Sequence, residues 1–469
     1  MPRGIAPKVA VRKAGGIDNV HKAAALLFFS LPLIAEVLRK YVIPSNLVLA
    51  VVDAVAVVAA TVLFVRRPSR VAGYIVMAVA VLSAWALLTV LLGHQDMMLG
   101  LVGVRAILVP ASYLLGAVYF GRRLGIAATS RLLYWAATFW FVLIGAMAGL
   151  QLLLGREHWL NYFPAELGGD ERMGIGDYTF QGFGLPQLFR PTSIFLHTGK
   201  FGMVAFILAA YRLCYATATR QGGLRWIAHR LLDLLVIVLS GQRAALVGFV
   251  FVYIALWPAE LKRKHALLVR TALTGVVMLV LLWASVRPGW EPSVPQLVAS
   301  RALSGFTDMV DRIRDNLLQP AGYVVDHFGL RGEGAGAFSL GSAAWGGMPL
   351  YNVVLGSAEN SWLRVIAEQG IIGMVLQAAF LVGLIWVSWA VYLRGTRSRR
   401  AHLGGSWVQV LVICPGLILA VLLLWANTHD VLGNVTVMSL SLSLFGVAFP
   451  GMQGPGISRS TAWSRGRSR

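Results

Sequence analysis

The chain has 469 residues, of which 57% are hydrophobic and only 13% are charged, and its mean hydropathy is +0.70. A soluble protein of this length could not cover so much apolar surface with so few charged residues. Runs of about 20 apolar residues recur along most of the chain, and each is long enough to cross a hydrocarbon layer of roughly 30 Å. The composition therefore predicts an all-α, polytopic membrane protein. It excludes a transmembrane β-barrel, whose strands alternate apolar and polar residues.

The formal charge is +21, from 41 Lys and Arg residues against 20 Asp and Glu residues. In a soluble protein this imbalance would indicate nucleic-acid binding, but in a membrane protein it reflects the Lys and Arg of cytoplasmic loops. Nucleic acid is therefore not an expected partner. The two cysteines, Cys214 and Cys414, both lie in apolar stretches and predict neither a disulfide framework nor a zinc site. No metal site is predicted.

Twelve transmembrane spans are predicted in chain order. The first follows a basic N-terminus and is a retained helix rather than a signal peptide, because no small-residue cleavage site follows it. The spans cover residues 23–38, 46–65, 72–92, 100–120, 134–154, 201–216, 226–241, 244–258, 267–286, 371–393, 406–426 and 431–449.

These spans divide the chain into segments of alternating location. Residues 1–22 form a basic cytoplasmic N-terminus, 23–154 hold spans 1–5, and 155–200 form an extracytoplasmic loop. Residues 201–286 hold spans 6–9, 287–370 form a larger extracytoplasmic loop with an active-site segment, 371–449 hold spans 10–12, and 450–469 form a cytoplasmic tail.

The distribution of arginine and lysine sets the orientation. With twelve spans, nearly all basic clusters of the connections fall on the side of the N-terminus, and the pair Arg39 and Lys40 is a mild exception. Since cytoplasmic loops are rich in Lys and Arg, both termini are predicted to be cytoplasmic. Long ordered loops are usually functional, so the chemistry is expected on the opposite, extracytoplasmic face.

Four segments are predicted to meet on that face: 100–105, 188–202, 239–248 and 358–373. They contribute five basic residues, Arg105, Arg190, Lys200, Arg243 and Arg364. Charge beside hydrocarbon is costly and therefore indicates an anionic partner. The diphosphate of a polyprenyl-linked sugar is such an anion, and guanidinium groups can bind it in a bidentate manner. For Arg105 and Arg364, extension towards lipid headgroups is an equally good explanation.

The order of motifs in the second half of the chain resembles the O-antigen ligase and polysaccharide polymerase superfamily. The motif residues are Ser240, Gly241, Gln242 and Arg243, then Glu359 and Asn360, then Gly370 and Gly373, with a glycine-rich turn at 328–336. In the ligases a histidine stands at the position of Glu359. The segment 190–200 is more similar to members that polymerise exopolysaccharide or O-antigen repeats.

The resemblance implies a metal-independent glycosyltransferase without a cofactor, in the inner membrane of a bacterium. Its donor would be an undecaprenyl-diphosphate-linked oligosaccharide. Its acceptor would be the growing glycan or, for a ligase, lipid A-core. The implied partners also include inner-membrane lipids, a chain-length regulator and a flippase. A lipid-linked sugar transporter or flippase remains an alternative function, as does a non-catalytic assembly partner. The polar groups at one face and the absence of an internal repeat disfavour a transporter.

Roles for individual residues follow from the resemblance and from their chemistry. Glu359 and Arg243 are predicted to be catalytic, with Glu359 either accepting the proton of the acceptor hydroxyl or forming a salt bridge to an arginine. The predicted substrate-binding residues are Arg190, Arg105, Lys200, His197, Asn360 and Arg364. His197 is a second candidate base, or simply a solvated loop residue. Glu36 and Asp233 are predicted to be helix-packing or interface groups.

Overall fold

A computed structural model of the chain describes residues 15–66, 68–155, 158–161, 179–180, 185–189, 191–219, 221, 224–260, 319–338, 360–397, 406–427 and 429–452. The helices of these residues are α1 Gly15–Tyr41, α2 Asn46–Arg66, α3 Arg70–Leu92, α4 Met97–Leu124, α5 Ile126–Leu154, α6 Thr198–Ala218, α7 Leu224–Leu239, α8 Arg243–Glu260, α9 Gln319–Phe328, α10 Ser361–Arg397, α11 Ser406–Trp425 and α12 Val435–Met452. A 3₁₀ turn spans Trp159–Asn161, and two short antiparallel strands, β1 Thr179–Phe180 and β2 Leu185–Phe189, form a small hairpin.

Seven of the described helices are long and apolar enough to cross a membrane: α1 to α6 and α10. Shorter apolar helical stretches lie in α8, α11 and α12. These lengths and compositions fit the helical membrane protein that the composition predicts. A helix lies at each predicted span except 267–286, which falls outside the described residues, so the count of twelve spans stays a prediction.

Helices α1 to α8 run in alternating directions, as do α10 to α12, and their connections therefore gather at two ends of the bundle. One of these, which we call the site end, holds the last turns of α1, α3, α5, α7 and α11. It also holds the first turns of α2, α4, α6, α8, α10 and α12. All four segments singled out in the sequence lie at this end where they are described. We call the other end the opposite end.

Helix α6 lies at the centre of the bundle, and 89% of its most apolar stretch is buried. Beside it, α4 and α12 approach closely because glycine stands at their contact: a Cβ atom at Gly446 would overlap the Cβ of Ala117. Small residues allow this backbone approach in membrane helices. Helix α2 lies at the periphery, and only 17% of its most apolar stretch is buried. Its exposed valines form an apolar face suited to lipid.

The second long loop ends ten residues earlier than predicted. Helix α10 begins at Ser361 because Asn360 caps it, its Oδ1 accepting hydrogen bonds from the backbone N–H of Trp362 at 2.9 Å and of Leu363 at 3.1 Å. The predicted boundary at 370 corresponds instead to a kink inside α10, where Gly370 has φ 69° and ψ −178°. A side chain there would clash, since a Cβ atom would overlap the carbonyl oxygen of Leu330.

Candidate functional site

Charged side chains from several helices converge at the site end. Six of them form what we call the basic cluster: Glu36, Arg39, Lys40, Asp53, Arg105 and Lys200. The Nε of Arg105 lies 2.5 Å from Oδ2 of Asp53, which joins α4 to α2. Lys200 donates a hydrogen bond to Glu36, and the hydroxyl of Thr436 donates to the same carboxylate oxygen at 2.8 Å. The cluster therefore ties α1, α2, α4, α6 and α12 together.

The basic cluster carries more positive than negative charge. The three cations Arg39, Arg105 and Lys200, with the buried Lys40 beside them, face two carboxylates, so positive charge is in excess among the residues that the structure describes. The Glu36 side chain is 1% exposed, whereas that of Arg105 is 33% exposed, so the cluster is buried on one side and open on the other. Because excess charge beside a hydrocarbon layer is costly, this arrangement favours binding of an anion from the open side.

Lys40 links the basic cluster to the residues that precede α6. Its buried ammonium group donates to Oγ1 of Thr192 at 2.7 Å and to the carbonyl oxygens of Ser193 at 2.7 Å and Phe195 at 2.9 Å. All three acceptors are neutral oxygens, so Lys40 ties the last turn of α1 to this segment by hydrogen bonds alone. In the sequence, Arg39 and Lys40 are a mild exception to the charge rule on the extracytoplasmic side, and this exception is the signal that could have drawn attention to them.

The backbone at Ser193 is held in an uncommon conformation, with φ 56°. Its N–H donates to Oε1 of Gln151 at 2.7 Å, and its hydroxyl donates to the carbonyl of Ile144 at 2.7 Å. Its carbonyl accepts from the hydroxyl of Tyr41 at 2.8 Å as well as from Lys40. A non-glycine residue keeps a positive φ only where its surroundings over-determine it, so the segment that presents His197 and α6 is rigidly held.

His197 directly precedes α6, and its side chain reaches the surface while neighbouring protein atoms crowd its imidazole. Desolvation lowers the pKa of His197 to about 4, and the neighbouring cations Lys200, Arg39 and Lys40 act in the same direction, while Glu36 opposes them. The imidazole is therefore neutral at pH 7. A neutral imidazole can accept a hydrogen bond or a proton from an incoming hydroxyl, and it adds no positive charge to the cluster.

The turn between α7 and α8 packs against the first turns of α6. The hydroxyl of Ser240 donates to the carbonyl of Ile237 at 2.6 Å, and Gly241 has φ 63°, which suits glycine. A Cβ atom at Gly202 would overlap the side chain of Gln242, so glycine in α6 permits this contact. Two of the segments that the sequence predicts to meet, 188–202 and 239–248, are thus adjacent. Arg243 begins α8, and its side chain lies outside the described part of the structure.

Arg364 occupies a buried ionic network rather than an open position. Its Nη1 lies 2.7 Å from Oε2 of Glu368, and its Nε lies 3.1 Å from Oδ1 of Asp430. The side chain is only 8% exposed, and two carboxylates more than balance its charge. Asn360 likewise caps α10 and donates from Nδ2 to the carbonyl of Asn427 at 3.0 Å. In the structure, Arg364 and Asn360 hold α10 against the α11–α12 connection, and their substrate-binding role stays a prediction.

The glycine-rich turn after α9 packs on the kink of α10. The N–H groups of Glu333 and Gly334 donate to the carbonyls of Ala367 at 2.9 Å and Glu368 at 2.8 Å. Directly before the kink, Nε1 of Trp85 donates to the carbonyl of Gln369 at 2.9 Å. Near the kink the helix offers no N–H partner to these carbonyls, and the hydrogen bonds from the turn and from Trp85 supply one. The turn also contacts α3, because the N–H of Ala335 donates to Oγ1 of Thr89 at 3.3 Å, and it therefore connects α3 to α10.

The other predicted residues fall into three groups. Glu359 and Arg190 lie outside the described residues. Asp233 lies elsewhere, in a buried group with Arg212, whose Nε is 3.3 Å away, and Arg230, whose Nη1 is 2.9 Å away. Glu36, predicted as a packing group, instead pairs with Lys200 at the site end. Within the described ranges, the His, Cys, Asp and Glu residues form no group of three that could hold a metal ion.

No protein-family model matches the chain, and no curated protein matches it significantly. The basic cluster and the elements around it are therefore the basis on which a function has to be assigned.

Proposed function

We propose that this chain transfers a glycan from an undecaprenyl-diphosphate-linked donor to an acceptor hydroxyl and thereby polymerises exopolysaccharide or O-antigen repeat units. The observation that carries the proposal is the excess of positive charge in the basic cluster, which is open on the side of Arg105 at one end of the helical bundle. A diphosphate group matches this surplus in charge, and its lipid tail would remain in the membrane beside the bundle.

The chemistry requires stabilisation of a departing diphosphate. The bond between the anomeric carbon and the diphosphate oxygen breaks, the acceptor oxygen forms the new bond to that carbon, and its proton passes to a base. Positioned cations lower the energy of this transition state because negative charge develops on the leaving group. Arg105 lies on the open side, Lys200 is paired with Glu36 beside it, and Arg243 begins the adjacent helix. The hydrogen bonds of Lys40 hold the segment that precedes α6.

The base for the acceptor proton is assigned to Glu359, as the sequence predicts, with His197 as the alternative. His197 lies beside the cations and is neutral at pH 7, which supports the alternative. A carboxylate or imidazole of low basicity suffices when the sugar carbon is already cationic in the transition state, because the hydroxyl then loses its proton late.

The proposal places the site on the extracytoplasmic face of the bacterial inner membrane and includes twelve spans with both termini cytoplasmic. Helix α8 runs away from the site end, whereas α9 packs on the first turns of α10 at the site end through Val324, Leu363 and Ile366. Between α8 and α9 the chain has to cross back to the site end, and we assign this crossing to the predicted span 267–286. An even number of spans then leaves both termini at the opposite end, where the arginine-rich connections lie.

The test uses the purified protein in lipid with an undecaprenyl-diphosphate-linked repeat unit as donor and acceptor, and products are separated by size. We expect a ladder of polymers, and we expect Arg243→Ala and Arg105→Gln each to lower its rate by about 10²–10³-fold. The matched control is Arg131→Gln, an exposed arginine of α5 at the opposite end, which should leave the rate unchanged.

Absence of a ladder with the wild-type protein and a matching repeat unit would overturn the polymerase assignment. Modification of added lipid A-core would then assign a ligase. If that acceptor also stayed unmodified, movement of the lipid-linked sugar between leaflets of a vesicle would be measured to test a transporter. A ladder that persisted in both arginine variants would show that the basic cluster is not the diphosphate site.

A further inference from the structure

A small cavity of about 110 Å³ lies at the opposite end of the bundle, between α2, α3 and α4. Its apolar lining is formed by Leu63, Phe64, Ala72, Leu115 and Val118. Its polar lining is formed by Ser69, Tyr119, Arg122 and Arg123. A cavity that combines an apolar wall with two arginines differs from the basic cluster, which lies at the other end of α4.

The charge around this cavity is of one sign. Helices α2 to α5 contribute five described arginines to the opposite end, Arg66, Arg70, Arg122, Arg123 and Arg131. The sequence has no acidic residue between Asp53 and Asp96, and none between Asp96 and Glu157. Asp53 itself pairs with Arg105 at the site end. Within the described residues, Arg122 and Arg123 have no carboxylate partner, so their charges are available to an anion.

The position of the cavity indicates where that anion would come from. Arg122 follows Arg105 by 17 residues on α4, which corresponds to about 26 Å along a helix axis. This is close to the thickness of the hydrocarbon layer, roughly 30 Å. The two arginines therefore stand at opposite membrane interfaces, and the cavity lies at the level of the lipid headgroups of the leaflet facing away from the proposed active site.

We propose that this cavity binds one anionic phospholipid. Its phosphate would lie between Arg122 and Arg123, and one acyl chain would follow the apolar wall of Leu63 and Leu115. Simple extension of arginines towards the lipid surface would not require an apolar-walled cavity beside them. A lipid at this place would contact both α4 and the peripheral α2. The proposal is independent of the activity assigned to the site end.

The test is native mass spectrometry of the purified full-length protein released from detergent after addition of a single lipid. Phosphatidylglycerol and phosphatidylcholine with the same acyl chains are compared. We expect one retained phosphatidylglycerol and little retained phosphatidylcholine. Arg122→Gln combined with Arg123→Gln should weaken phosphatidylglycerol retention by roughly tenfold or more, because both nearest positive charges are lost. The control Arg131→Gln, at the same end but outside the cavity lining, should retain the lipid normally.

A second variant fills the cavity and keeps both charges. Leu115→Trp should also lose the lipid while the thermal unfolding midpoint confirms that the protein is folded. Equal retention of the two lipids, equal loss in Arg131→Gln, or normal retention in Leu115→Trp would each overturn the proposal. Displacement of phosphatidylglycerol by millimolar inorganic phosphate would overturn it too, because the cavity would then be a site for free phosphate.

Discussion

Lys200 of α6 donates a hydrogen bond to the carboxylate of Glu36 in α1, and the Glu36 side chain is almost fully buried. Thr436 of α12 donates to the same oxygen at 2.8 Å. Three helices that are far apart in sequence are thus joined at one carboxylate. The pair has two consequences: it stabilises the bundle, and it fixes the ammonium group of Lys200 at the edge of the basic cluster.

We expect Lys200→Met to lower the free energy of unfolding by about 3–5 kcal/mol, because the buried carboxylate of Glu36 loses its counter-charge. The double variant with Glu36→Gln should recover most of this loss, since no unpaired charge remains. Denaturant titration of the four proteins in a double-mutant cycle measures the coupling. Lys22→Met, at an exposed lysine of the same helix α1, is the control and should change stability little. A double variant as unstable as the single one would contradict the pairing.

Arg364 offers a similar test of a different ionic group. Its guanidinium lies between Glu368 and Asp430, and Arg364→Met would leave these two carboxylates buried without a cation. We expect a loss of about 3–5 kcal/mol in the free energy of unfolding. Adding Glu368→Gln and Asp430→Asn should restore much of it. If Arg364→Met unfolded like the wild type and only weakened donor binding, Arg364 would be a substrate ligand rather than part of the structural network.

The kink in α10 can be tested with a matched pair of glycines. Gly370→Ala should destabilise the protein by at least about 1–2 kcal/mol, from the left-handed backbone conformation alone, and its Cβ would also clash with the carbonyl of Leu330. Gly383 lies in the same helix, and a Cβ atom added there would meet nothing within 4 Å, so Gly383→Ala should be neutral or stabilising by up to about 1 kcal/mol. The thermal unfolding midpoints of both variants test this difference. Equal changes in the two midpoints would refute the backbone strain at Gly370.

The lowered pKa of His197 predicts a pH dependence of stability. The imidazole has a pKa of about 4 in the folded protein against an ordinary value of 6.5, so the unfolded chain binds more protons between these values. The corresponding stability is present above about pH 6.5 and is lost as the pH falls towards 4. His197→Gln should flatten the slope of the unfolding midpoint between pH 4 and 6.5, relative to the wild type. An unchanged slope would show that His197 titrates normally.

Part of the site could be predicted from local sequence. Arg105 and Lys200 were recognisable because charges beside long apolar runs are rare, and the structure places both in the basic cluster. Glu36, Asp53 and Lys40 were not assigned to a site. Each stands in an apolar helix with no local motif, and only the packing of five helices shows which cation or carbonyl it meets. Arg364, like Arg105, is a charged residue beside a long apolar run. Its partner Asp430 lies 66 residues further along the chain, so the local sequence does not show that the two are paired.

The sequence by itself determined the helical membrane character and the approximate place of the described helices, because apolar length and backbone hydrogen bonding in lipid leave few other structures. It also determined the start of α8 within a residue or two, through the Ser240–Gly241 turn. Only the tertiary structure decided which charges are paired and which are in excess. Pairing depends on distances of a few ångströms between helices, and residues separated by hundreds of positions, such as Glu36 and Thr436, leave no local pattern of their contact.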